Sequence, residues 1–242
     1  MNATVAQLTA RSLLRRRRAL LLMTLSGVLV LLAVIARGLA GDNDDVTVGI
    51  LGGFALATLV PLLGLIAGTG AIGPEIDDGS IIYLLAKPLS RFSIATTKVV
   101  VAIGVMAAFA AVPTFVAGVI LTGEVGSVAV GYAVGALVAG TGYCALFLLL
   151  AVISRHAVII GLLYALVWET LVGNFVPGAQ TLSVQQWSLA ITTKILGHRA
   201  DELNVDPAVS LGTGIVFLVI IIVACPWYAG WRLRSLRLTS DE

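Results

Sequence analysis

A chain of 242 residues with 59% hydrophobic and only 12% charged side chains has too little polar surface for an ordinary soluble domain, in which about 25% of residues are charged. Its mean hydropathy of +1.04 directs the apolar surplus toward lipid. The net charge of +2 is uninformative as a sum because the signs are sorted by side, and no nucleic-acid partner is expected.

Six apolar stretches, 19–36, 46–73, 99–121, 128–153, 157–175 and 208–230, predict an all-α membrane protein of six transmembrane helices forming a single domain over 1–242. A hydrocarbon core about 30 Å thick takes roughly 20 helical residues at about 1.5 Å each. The second and fourth stretches exceed that and must tilt or project. With the N-terminus inside, twelve of the 15 Lys and Arg residues fall on the inner side, leaving Arg37, Lys194 and Arg199 outside. The positive-inside rule therefore places both termini in the cytoplasm. A cleaved signal peptide fits the first stretch poorly, because 18 residues precede its apolar run.

Before the first span, Gln7, Arg11, Arg15 and Arg18 share one helical face and Val5, Ala6 and Leu13 the other, so 1–18 reads as an amphipathic interfacial helix or as a plain topogenic charge cluster. Pro61 and Pro113 are positioned to kink the second and third spans. The second span ends in Gly68-Thr-Gly70-Ala-Ile-Gly73, a formal G-x-G-x-x-G that closes an apolar helix instead of following a strand, so no dinucleotide site is expected. No P-loop is present, His156 and His198 are isolated, and Cys144 and Cys225 match no metal or redox spacing. The energy source is therefore a gradient or a partner.

The loop 74–98 is the most punctuated part of the chain. Pro74 suits the first position of a short helix, with Glu75, Asp77 and Asp78 at the positive end of its dipole. Gly79-Ser80 breaks the chain, and Ile81, Ile82, Leu84 and Leu85 supply an apolar patch ending at Pro88. Ser90 is placed to cap the third span, and Lys98 to snorkel to the inner headgroups. Such a loop either docks a partner or lies in the interface. The run Glu75, Gly79-Ser80, Leu84-Leu85-Ala86-Lys87-Pro88, Leu89-Ser90-Arg91 and Lys98 resembles the loop after the second span in ABC transporter permeases of the type-2 exporter class, with Ser80 where Thr is commoner. The resemblance implies a half-transporter, and the absence of disulfides, a targeting peptide and a fused ATPase fits the plasma (inner) membrane of a prokaryote. A second copy would complete the pathway, and two ABC ATP-binding subunits would carry ATP and Mg, no cofactor being bound by this chain. It also implies that Glu75, Asp78, Gly79, Ser80, Tyr83, Lys87, Pro88 and Arg91 couple the spans to those subunits. A gradient-driven secondary transporter or channel is the alternative, although that class normally shows several intramembrane ionisable groups.

The fourth span carries Gly131, Gly135 and Ala139 at four-residue spacing, which lets helices approach closely. Glu169 is the one strongly costly residue in the fifth span, roughly 18 Å from its inner end. It belongs either to a substrate path or dimer seam, or to a hydrogen-bonded structural setting involving backbone or Asn174. The segment 174–206 predicts an amphipathic helix in the outer headgroup region, with a capping box of Ser183 and Gln186, an apolar stripe of Val184, Trp187, Ile191 and Ile195, and Gly197 as its stop. Trp187 is the expected outer-lid residue. Trp227, Tyr228 and Trp231 form an inner aromatic belt beside the basic tail and lipid headgroups.

Overall fold

The computed structural model describes residues 3–79, 91–172 and 178–235, and all regular structure among them is helical. In chain order the elements are α1 (Ala3–Leu13), α2 (Arg16–Ala40), α3 (Asp44–Val48), π1 (Gly49–Leu59), α4 (Val60–Asp77), α5 (Arg91–Met106), π2 (Ala107–Ala111) and α6 (Val112–Thr122). They continue as α7 (Ser127–Ile153), α8 (Ala157–Leu163), π3 (Tyr164–Val172), a 3-10 turn (Ala179–Leu182), α9 (Val184–Leu196), α10 (His198–Glu202) and α11 (Leu211–Ser235).

Among the described residues, five helical units are long and apolar enough to cross a membrane: Arg16–Ala40, Asp44–Ile76, Phe92–Thr122, Ser127–Ile153 and Leu211–Leu233. The stretch expected as the fifth of six spans contributes the shorter apolar helix Ala157–Glu169. Continued through π3 to Val172 it reaches about 24 Å at α-helical rise, short of a full hydrocarbon core.

Two units form the core. The apolar windows of Asp44–Ile76 and Ser127–Ile153 are each 61% buried, against 22%, 33% and 17% for the other three, which leave broad apolar faces outward. α7 is the hub, packed by α4, α5, α6, α8, α9 and α11. Its small residues explain this. Gly131 and Gly135 take the side chains of Leu196 and Thr192 from α9, and Gly142 meets Val184. The small-residue stripe is thus spent on a contact within the chain. The Gly68–Gly73 run works the same way: Gly68 lies on the α7 backbone at Cys144 and Leu148, while Gly70 accommodates Leu13 and Arg18 on the opposite side of α4.

Prolines set where the helices widen. π1 runs into Pro61 and π2 into Pro113, with Val60 N–H donating to Ala55 O and Val112 N–H to Ala107 O, five residues back. A proline lacks an N–H and crowds the carbonyl four residues before it, and a wider turn relieves both problems. Near Pro113, Ser26 Oγ also reaches across from α2 to Phe109 O at 2.5 Å.

The signs of charge are sorted between the two ends of the bundle. Arg37, Asp42 and Glu124 gather near the Ser127 end of α7, where Arg37 donates to Asp42 Oδ1 at 2.9 Å and Leu121 O at 2.7 Å. Arg18, Pro74 and Arg155 meet near the Ile153 end, called here the basic end.

Candidate functional sites: a braced loop and a buried carboxyl

At the basic end, α4 continues through Pro74 to Asp77 instead of stopping before it. Asp78 N–H donates to Pro74 O at 2.9 Å, and Gly79, at φ 67°, takes the left-handed conformation that ends the helix. Glu75 and Asp77 therefore occupy the final turn of a helix, where its dipole is unfavourable to acids, and not the first turn of a new one. Two cations answer this arrangement. Lys98, seven residues into α5 and fully buried, donates from Nζ to Glu75 Oε1 at 2.7 Å and to Ala71 O at 2.6 Å. Lys98 does not snorkel to headgroups, because Ala71 and Glu75, one turn apart on α4, offer it a carbonyl and a carboxylate in the bundle.

Arg18 answers the second problem. Pro74 has no N–H to give the carbonyl of Gly70, four residues earlier, and Arg18 Nη1 donates to that oxygen at 3.1 Å. Gly70 has no side chain to keep the guanidinium out. Arg18 thus leaves the polar face on which the sequence placed it. α1 is a separate helix ending at Leu13, and its stripe of Val5, Thr9 and Leu13 is buried. It packs on α4 and α5, the two helices that enter and leave the loop. Of the expected coupling residues, Glu75 is paired with Lys98, Asp78 and Gly79 are exposed at the end of α4, and Arg91 opens α5. Ser80, Tyr83, Lys87 and Pro88 lie outside the described residues.

The second site is at mid-bundle. Val184 lies beside Gly142 and Leu196 beside Gly131, so α9 starts halfway along α7 and rises toward its Ser127 end. α9 is consequently buried in the bundle and does not lie across its outer rim. Its first five residues, Val184 to Ser188, are all buried, as is Ser183. Trp187, 3% exposed, donates from Nε1 to Thr181 O at 2.7 Å and stacks on Phe217 with ring centres 5.2 Å apart. Gly214 allows α11 to approach the Trp187 backbone.

Glu169 holds the start of this helix. Its carboxyl is fully buried and accepts from Ser183 Oγ at 2.5 Å, from Val184 N–H at 3.1 Å and from Tyr164 O–H at 3.1 Å. Ser183 is the N-cap, as its sequence position predicts, accepting from Gln186 N–H at 3.3 Å. The reciprocal half of the expected capping box is absent. Gln186 Oε1 instead accepts from Ala208 N–H at 3.0 Å, while Glu169 meets the orphan donor of Val184. An acidic group against the first turn of a helix also faces the positive end of its dipole. Phe147 packs edge-on to Tyr164 and stacks with Tyr143. Asn174, the other partner considered for Glu169, lies outside the described residues.

The described residues contain no group of three or more His, Cys, Asp or Glu that could hold a metal ion, and both cysteines are free. Where a hydroxyl and a carboxylate do meet, at Ser183 and Glu169, both are engaged at the first turn of α9, and each of the two sites holds elements together. One braces the two flanks of a loop against each other, and the other ties a mid-bundle helix start to its neighbour. No protein-family model matches the chain, and neither does any curated protein or solved structure.

Proposed function

We propose that this chain is the transmembrane subunit of an ATP-driven exporter of the type-2 ABC class. It works as a dimer, with a separate ATP-binding subunit docked on the loop 74–98 of each copy. In this reading the apolar stretch 157–175 is the sixth crossing, and both termini and the loop face the cytoplasm. ATP binding draws the docked subunits together and moves the loops with them, switching the shared pathway from inward to outward access.

The observation that carries the reading is the Lys98–Glu75 brace at the base of the loop whose sequence resembles the coupling element. A loop hinged freely on two helices would absorb a push. With Lys98 bonded to Glu75 and Ala71, and α1 lying on both flanking helices, displacement of the loop moves α4 and α5 as one body. α4 then passes that motion to α7, against which it is closely packed. A gradient-driven transporter would need Glu169 as its ion-coupling group. Three donors on its carboxyl and its place at the first turn of α9 favour a structural task over that one.

Cysteine placed at Asp78 tests the docking directly. A short cross-linker applied to native membranes should join it to a P-loop ATPase, whereas cysteine at Val125, exposed at the opposite end, should give no such product. The same adduct from both positions, or from neither, would refute the assignment.

A further inference from the structure

Two adjoining clefts open at the basic end. One, of about 220 Å³, lies between α2, α4 and the α7–α8 turn, lined by Arg18, Thr69, Pro74, Ser154, Arg155 and His156 among others. The other, of about 500 Å³, is formed by Ser12, the four arginines Arg15 to Arg18, and Pro74. Arg18 and Pro74 belong to both, so the clefts form one basic recess. Among the described residues no acidic side chain lines either, and the closest acid in sequence, Glu75, is held by Lys98. Among the described residues, Arg15, Arg16, Arg17 and Arg155 make no ion pair or side-chain hydrogen bond within the chain.

The surroundings are equally one-sided. Leu20, Leu21 and Met23 stand exposed on α2 directly after the arginines, and Val158, Ile159 and Leu163 on α8 directly after His156. The recess is therefore a cationic, hydroxyl-bearing cavity whose two walls continue into apolar strips along membrane helices. A headgroup phosphate fits the first feature and acyl chains fit the second. Basic pockets between membrane helices hold anionic headgroups by this combination of charge and a ready-made cleft.

From this arrangement the geometry points to a specific binding site for an anionic glycerophospholipid, with its phosphate between Arg155 and the Arg15–Arg18 run and its acyl chains along α2 and α8. Arg155 is the residue that makes it a site and not merely a charged surface, since it brings a cation from the α7–α8 turn to face those of α2. The inference requires only a bilayer with headgroups at the basic end, and is independent of the exporter reading.

Native mass spectrometry of the full-length chain in mild detergent tests it, titrating phosphatidylglycerol against phosphatidylcholine of identical acyl chains. The wild type should retain phosphatidylglycerol preferentially. Arg155→Gln should lower that retention about five-fold, the effect of one basic side chain near a charged headgroup, with phosphatidylcholine retention unchanged. Arg155→Lys should keep most of it, and Arg11→Gln, on the exposed side of α1, should behave as wild type. Arg155 is exposed, so an unchanged melting profile is expected to accompany the loss. Equal retention of the two lipids, or an Arg155→Gln chain indistinguishable from wild type, would overturn the proposal. Displacement of phosphatidylglycerol by millimolar inorganic phosphate would identify a free-anion site, and loss of a bound protein partner without loss of lipid would identify a docking surface; either overturns the lipid assignment.

Discussion

Replacing Glu169 by leucine should detach the start of α9 from the bundle. The substitution leaves three donors without their acceptor: Val184 N–H, Ser183 Oγ and Tyr164 O–H. Each buried donor stranded in this way costs about 1–3 kcal/mol. Ser183 can turn its hydroxyl elsewhere and Tyr164 is only half-buried, so the full sum is not reached. Val184 N–H, fully buried, has no such escape. Leucine does recover part of the penalty for burying a carboxyl, which reaches about 2.5–3.5 kcal/mol for an uncompensated acid at a helix centre. That recovery is small here because the oxygens of Glu169 are already met. A net loss of about 3 kcal/mol is expected for Glu169→Leu, and about 1 kcal/mol for Glu169→Gln, which keeps one acceptor oxygen and the shape. Because about 1.4 kcal/mol is a factor of ten, amide exchange across 183–188 should accelerate roughly 100-fold in the leucine variant. Hydrogen exchange in lipid nanodiscs measures this, with α2 as the internal control. A cycle with Ser183→Ala should show coupling of about 1 kcal/mol or more. Unchanged protection at 183–188, or the same acceleration in α2, would refute the anchoring role.

The brace and the close helix contacts give further tests. Lys98→Met removes the buried ammonium that joins α5 to Glu75 and Ala71 O and should destabilise the fold by about 3 kcal/mol in thermal melts, as breaking one side of a buried pair does. Glu75→Gln leaves the fully buried Lys98 ammonium without its counter-charge and should cost a comparable amount, whereas a loss below about 1 kcal/mol would mean that Lys98 is not held chiefly by this pair. Gly68→Ala would set a Cβ 2.9 Å from Cys144 O and should lose about 1–3 kcal/mol. Gly104→Ala, with nothing within 4 Å, should leave stability unchanged or raise it by about 0.5–1 kcal/mol. The reverse order would show that α4 and α7 are not in contact there.

Helix positions were largely legible because hydropathy and helical period are local properties. Ser183 as an N-cap and the shared face of Val5 and Leu13 follow from a few neighbouring residues; at Pro61 and Pro113 the sequence points to kinks, and the structure shows widened turns leading into both prolines. What was not legible depends on residues distant in sequence. Nothing near Lys98 shows that Ala71 and Glu75 will face it, so snorkelling was the natural expectation for a lysine near a helix end. Arg18 was assigned to a polar face by its period, yet the deciding features are a proline and a glycine more than fifty residues later. The clue existed: Pro74 within a helix must orphan the carbonyl of Gly70, and a basic residue is a suitable donor. Glu169 and Ser183 are 14 residues apart across a turn. The single apolar stripe of Val184, Trp187, Ile191 and Ile195 points to a surface helix, whereas glycines on α7 and Gly214 on α11 open space in which Gln185, Gln186 and Ser188 are buried as well. The fifth stretch reads as a span because its apolar run is continuous; its described part, to Val172, is shorter than the other five units, and the start of α9 beside the middle of α7 is set by glycines distant in sequence.

The most direct test of the central claim is affinity purification of this chain from native membranes in mild detergent, with mass spectrometric identification of what accompanies it. The exporter account expects a P-loop ATPase in equal stoichiometry, lost when the sequence 75–91 is scrambled and retained when the exposed turn at 123–125 is scrambled instead. A clean homo-oligomer, recovered under conditions that keep a reference ABC complex intact, would contradict it.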